Sequence, residues 1–145
     1  MSDSGSKSYL FYGWETADIK DEKDLTPRDY YDLLENIWTA ETCAPRLRGD
    51  WSPENKTLGQ CSITAFLVQD IFGGKVYGIK RGSGNYHCFN NVDGCIFDLT
   101  SEQFGEEELD YSDCTEQFRE VHFQKEEKRL RYELLKERLA KAVKG

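Results

Sequence analysis

A chain of 145 residues, 38% hydrophobic and 13% aromatic, can bury one core beneath a layer of helices and is short for two domains. A net charge of −8 and a pI of about 4.8 argue against nucleic-acid binding as a main activity, which needs a clustered cationic face. No apolar run is long enough to span a bilayer and no signal-peptide core follows Met1, so no membrane partner and a cytoplasmic location are expected.

The charge is uneven. From Gln117 onward there are nine Lys or Arg against five Glu, whereas the first 116 residues hold ten against twenty-two acids. The basic C-terminal part is expected to dock on the acidic body, or to bind an acidic partner. Five cysteines, an odd number, read as reduced thiols. They form no CxxC pair, and neither a metal site nor a cofactor is expected.

In chain order, residues 1–25 read as an N-terminal extension. Met1 to Lys7 is Ser-rich and expected to be disordered. Tyr9-Leu10-Phe11-Tyr12 is an aromatic run that could pack or serve a homodimer. Residues 26–145 read as a single α+β domain ending in a long basic helix. Thr26-Pro27 is a helix start, with a capping hydroxyl and Pro at the first helical position. Asp29 favours the positive end of the helix dipole. Tyr30, Leu33, Leu34, Ile37 and Trp38 then repeat at helical spacing, which predicts a helix over Pro27 to Glu41.

Thr42 to Gly59 is a long irregular connection of the kind that usually serves a function, and Trp51 should pin it to the body. Cys61 to Phe72 predicts a helix apolar nearly all round, hence internal, stopped by Gly73-Gly74. Lys75 to Lys80 predicts a strand and Gly82-Ser83-Gly84 a turn. Tyr86 to Val92 and Cys95 to Leu99 flank Asp93-Gly94, a strong hairpin signal. Thr100 to Phe104 suggests a helical turn, and Glu106-Glu107-Glu108 with Asp110 an acidic loop. Gln124 to Val143 predicts a helix with the apolar stripe Leu130, Leu134, Leu135, Leu139 and Val143.

The chemistry concentrates at Cys61. A thiolate is stabilised at a helix N-terminus by free N–H groups and the positive end of the dipole. The base must be His87 or His122, and His87 lies on the hairpin. With a two-residue turn, Val92 pairs with Cys95 and Phe89 with Asp98. His87 and Asp98 are then diagonal neighbours on one face, and the carboxylate can orient the imidazole. Asn90 and Cys88 face the other way. Bland readings compete with each of these: a buried core cysteine, a strand histidine, an aspartate that caps the next turn.

The sequence resembles a bacterial family, the YunG-like proteins, between about Ile37 and Leu139. The resemblance lies in Trp38 to Thr42, Leu58-Gly59-Gln60-Cys61-Ser62-Ile63-Thr64-Ala65, Val68-Gln69-Asp70 with Gly73-Gly74, His87-Cys88-Phe89-Asn90, Asp93-Gly94, and Asp98-Leu99-Thr100 with Gln103-Phe104. Arg131-Tyr132 and Leu134-Leu135 extend it. It implies a compact cytoplasmic protein with no assigned reaction. More distantly, the order cysteine on helix, histidine on strand, aspartate on next strand is similar to the papain-like and transglutaminase-like superfamily, by fold-level analogy. That likeness implies Cys61 as nucleophile, His87 as base and Asp98 as orienter. The departures are the ten residues between His87 and Asp98, a tight hairpin, Cys43 where Ser is expected, and the added segment before Pro27.

The expected architecture is α+β: a buried helix beginning at Cys61, packed on a small antiparallel sheet in a papain-like core, with flanking helices. The expected function is cysteine-dependent acyl hydrolysis or transfer on an unidentified small-molecule or peptide substrate. Gln60 and the Cys61 N–H are oxyanion candidates, and Trp51 and Asn90 pocket candidates. The rival is a non-catalytic binding module on the same scaffold. A redox sensor is a third possibility, for which no resolving cysteine is evident near Cys61.

Overall fold

A computed structural model of the chain describes residues 11–81, 85–105, 107, 109–112 and 114–144. The Gly82-Ser83-Gly84 turn, Met1 to Lys7, Tyr9-Leu10, and Glu106 and Glu108 of the acidic loop lie outside the described residues.

Helix α1 spans Pro27–Leu34. Thr26 and Asp29 close a reciprocal capping box: the Thr26 hydroxyl accepts from the Asp29 N–H at 3.2 Å, and the Asp29 carboxylate accepts from the Thr26 N–H at 2.9 Å. The helix ends well before Glu41. The amides of Asn36 and Ile37 bond three residues back, tightening the chain out of α geometry. Trp38 is then anchored elsewhere, its indole N–H donating to Thr64 Oγ1 at 3.0 Å. Ile37 and Trp38 stay buried, so the apolar repeat marks the core correctly and overestimates the helix.

Helix α2 spans Cys61–Phe72, and Ser62 through Val68 are all buried. It stops at Gly73, whose N–H reaches the Gln69 carbonyl at 2.8 Å. Gly74 follows at φ +77°, where a Cβ would stand 2.5 Å from the Asn91 carbonyl oxygen. Only glycine lets the chain turn there against the next strand.

Strands β1 (Lys75–Lys80), β2 (Tyr86–Val92), β3 (Cys95–Phe97) and β4 (Thr115–Gln117) form one antiparallel sheet in the order β3-β2-β1-β4. Asp93 and Gly94 both adopt positive φ, giving the two-residue turn, and Val92 pairs with Cys95. β3 ends before Asp98 and Leu99, because the Asp98 N–H turns to the Tyr12 carbonyl at 3.0 Å. β4 carries no strand signal in its sequence; it is an edge strand added to β1 by tertiary packing. A short helix α3 (Arg119–His122) leads into α4 (Glu126–Lys144).

α2 packs on β2 and β1, and α4 crosses α2 and α1. The fold is α+β, a mixture of helices and a small four-stranded antiparallel sheet. The stretch before Pro27 also feeds the core, since Phe11 and Ala17 are buried within it. The basic α4 docks on the body: Arg138 reaches the Ile37 carbonyl, Thr39 and Glu41, and Arg131 donates to the Thr42 carbonyl at 3.0 Å. In its apolar stripe Leu135 and Leu139 are buried while Leu130 is 51% exposed. Arg131 and Tyr132 occupy the inner face instead, because the arginine bonds the carbonyl there. No helix among the described residues is long and apolar enough to cross a membrane.

Candidate active site

The approach to Cys61 is shaped by Gly59, at φ +71°. A Cβ on Gly59 would meet Cys43 Sγ at 2.5 Å and the Ala44 nitrogen at 2.9 Å. Its absence lets the long connection fold back, with the Ala44 N–H on the Gly59 carbonyl at 3.0 Å. Ala44, Pro45 and Arg46 thereby form one wall of a cleft of about 540 Å³, and Cys61 lines it. Gln117, His122, Lys125, Lys128 and Arg131, from the C-terminal part of the chain, line it as well.

Cys61 is the first residue of α2 and is half-buried. Gln60, at the N-cap, supplies no side-chain cap, so no side-chain oxygen of the N-cap occupies the first turn of α2. The sulfur lies 3.8 Å from the Tyr86 carbonyl oxygen, next to His87 in β2.

His87 is 2% exposed. Its Nε2 is 2.5 Å from Asp98 Oδ2. The same oxygen accepts from the Tyr111 hydroxyl at 2.7 Å, and Oδ1 accepts from the Thr100 N–H and hydroxyl at 3.2 and 3.3 Å. The Phe104 ring stands edge-on to the imidazole, centroids 4.6 Å apart. The ring therefore has little freedom to turn. Its Nδ1 has no nitrogen or oxygen partner among the described residues and is the ring nitrogen left for the sulfur.

The electrostatics follow from these neighbours. The Cys88 thiol beside Cys61, and then the His87 imidazole, hold the Cys61 thiol well below its usual range, against the opposing effect of burial. Burial pulls His87 down, but the Asp98 charge, its hydrogen bond and Cys61 outweigh it and raise the imidazole to about 10. Cys88 is pushed up by the Cys61 sulfur and by burial. A thiolate–imidazolium pair is the form these groups favour near neutral pH.

Three residues foreseen as pocket groups have other work. Gln60 is fully buried, its Nε2 donates to the Thr39 carbonyl at 3.1 Å, and it does not line the cleft. Asn90 is buried and ties β2 to α2 through the Ala65 carbonyl at 2.9 Å. Trp51 donates to the Lys56 carbonyl at 2.9 Å within its own loop, so that loop walls the cleft through Ala44 to Arg46 and Gly59 instead. A second cysteine does lie near the nucleophile: Cys88 stands beside Cys61.

Tyr111 and Lys128 were missed, and His122, weighed as the alternative base, is bonded to Lys128 instead. The Lys128 ammonium donates to His122 Nδ1 at 2.9 Å, and His122 Nε2 donates to Gln117 Oε1 at 2.8 Å. Burial and the Lys128 charge lower His122 to about 4. Lys128 and His122 stand six residues apart across the break between two helices, where no single period links them. Among the described residues no three of His, Cys, Asp or Glu are grouped to hold a metal ion.

A family model described as YunG protein matches residues 26–144. Among curated proteins, the uncharacterized protein YunG of Bacillus subtilis (strain 168) is 33% identical over 72 residues, covering 50% of this chain and 57% of that relative's length. No solved structure matches the chain. Since the family model spans the segment from α1 through α4, including Cys61, His87 and Asp98, the chain belongs to the YunG family.

Proposed function

We propose that the chain is a cysteine-dependent acyl hydrolase or transferase that uses Cys61, His87 and Asp98, on a papain-like arrangement of helix and hairpin. One observation carries the reading. Cys61 opens a helix on the wall of a cleft, and the histidine beside it is held by a buried carboxylate at 2.5 Å. A cysteine that merely filled the core would need neither the cleft nor the charged pair, whose burial is costly unless used.

In this reading the Cys61 thiolate attacks the substrate carbonyl, forming the S–C bond while the carbonyl π pair moves to oxygen. The first-turn amides of α2 receive the oxyanion. His87 Nδ1–H gives its proton to the leaving group as the C–N, C–O or C–S bond breaks. His87, now neutral, takes a proton from water or an acceptor, which attacks the thioester and releases Cys61. Asp98, fixed by Tyr111 and Thr100, keeps Nε2–H directed at itself and so leaves Nδ1 for the chemistry.

The test is site-resolved alkylation with iodoacetamide near neutral pH, read by peptide mass spectrometry. Cys61 should react on the order of a hundredfold faster than Cys114. An activated aryl ester should leave an acyl group on Cys61 in a burst. Uniformly slow labelling with no acyl adduct would end the reading and favour a binding module.

A further inference from the structure

The cleft carries the opposite sign to the rest of the molecule. The chain has a net charge of −8, yet four cations and one carboxylate line this cleft: Arg46, Lys125, Lys128 and Arg131 against Glu127. Glu127 is bound to Arg131, which also donates to the Thr42 carbonyl. Arg46, Lys125 and Lys128 have no carboxylate partner among the described residues. The Lys128 head is fixed by His122, a neutral acceptor that leaves its charge uncancelled. Burial lowers the Lys128 ammonium, offset in part by the two cysteine sulfurs. A partly buried ammonium without a carboxylate is costly, and an anion entering the cleft removes that cost.

From this we infer that the acyl substrate is a small anion, bearing a carboxylate or phosphate group that Lys128, Lys125 and Arg46 receive beside Cys61. The inference rests on the thiol acyl chemistry proposed above and names its substrate class. It also meets a difficulty in that chemistry: an anionic substrate is repelled by a thiolate nucleophile and by an acidic protein surface. A cationic wall at the point of attack reverses the local field.

Two alkylating reagents of nearly equal size isolate the charge, iodoacetate (anionic) and iodoacetamide (neutral). With either one, the Cys61 thiolate forms an S–C bond and iodide leaves with the C–I pair. The readout is the iodoacetate-to-iodoacetamide rate ratio at Cys61, divided by that ratio for free cysteine. We expect this quotient to be on the order of ten at low salt, and to fall towards one in high salt. In Arg46→Met/Lys125→Met it should fall by several-fold while the circular dichroism spectrum stays that of the parent. A quotient of one or below in the parent protein would overturn the inference, as would a quotient unmoved by the double substitution.

Failure of the thiol reading looks different: Cys61 then reacts slowly with iodoacetamide itself. In that case the charge inference is decided on Cys61→Ser by titrating glutarate and following the His122 ring signals by NMR. A saturable shift that Arg46→Met/Lys125→Met weakens supports an anion site, and no shift overturns it.

Discussion

The chain has two histidines, and the charge of Cys61 acts on both, raising each imidazole. His87 sits in β2 against the Asp98 carboxylate; His122 ends α3 against the Lys128 ammonium. Burial pulls both imidazoles down. The carboxylate reverses this at His87, raising it to about 10, and the ammonium reinforces it at His122, lowering it to about 4. The partner, more than depth, decides which histidine carries a proton at neutral pH. One is thereby suited to proton transfer with a thiolate, and the other to holding a lysine in place.

The sharpest way to break this contrast is to remove each ring in turn. His87→Ala should slow iodoacetamide capture of Cys61 about a hundredfold, and His122→Gln should change it less than about threefold. Equal effects would mean that the two rings are interchangeable around Cys61.

Asp98→Asn removes the carboxylate and should cost about tenfold in the same rate. It should also change the shape of the pH profile. Cys88 and His87 hold Cys61 below its usual range, so the parent loses rate only when acid protonates that thiolate; the variant, in which the imidazolium is weakened and Cys88 remains, should lose it at a higher pH than the parent. Stability follows with a worked sign. Below about pH 6.5 His87 is protonated folded and unfolded, whereas Cys61 is ionised only when folded, so stability rises with pH. Between about 6.5 and 9 the folded imidazolium and the unfolded thiol hold one proton each, and the curve is flat. From about 9 to 10 only the folded state keeps that proton, and stability falls. Urea midpoints across this range should show the plateau in the parent, with both flanks flattened in Asp98→Asn.

A smaller effect concerns the other ring. Lys128→Met should move the His122 titration, followed by NMR, upward from about 4 towards 6.5, since the larger of the two cationic influences that depress it is gone while burial and Lys125 remain. The smallest expected change is that of Tyr111→Phe, which removes one hydrogen bond from Asp98 Oδ2. It should lower stability by about 1 kcal/mol in chemical denaturation and slow Cys61 capture by no more than a few-fold.

What the sequence disclosed about the site is what local periodicity encodes. Asp93-Gly94 set the hairpin register, and that register brought His87 and Asp98 together from eleven positions apart. The glycine pair after Phe72 and the unbroken apolar run before it marked α2 with Cys61 at its start. Side-chain destinations beyond one element were not encoded so simply. Gln60 adjoins the nucleophile in the chain yet turns inward to Thr39, and Asn90 is taken by a helix carbonyl. Trp51 binds its own loop. Tyr111 reaches Asp98 from a segment with no regular period, and β4 exists only because β1 has an open edge for it. Leu130 alone departs from its stripe by being exposed, while Leu135 and Leu139 are buried, for a related reason: a carbonyl at Thr42 favours an arginine on the inner face, and a hydropathy pattern cannot register a carbonyl.

The division of the cleft between early and late parts of the chain has a consequence for biosynthesis. Cys61, His87 and Asp98 leave the ribosome before Gln117 to Arg131, which furnish three of the cleft's four cations. While that segment is still inside the exit tunnel, the nascent chain has its thiol but only Arg46 of the cleft's cations, and α2 lacks the cover of α4. The cationic part of the cleft is thus completed last, when translation delivers the segment that covers the buried helix.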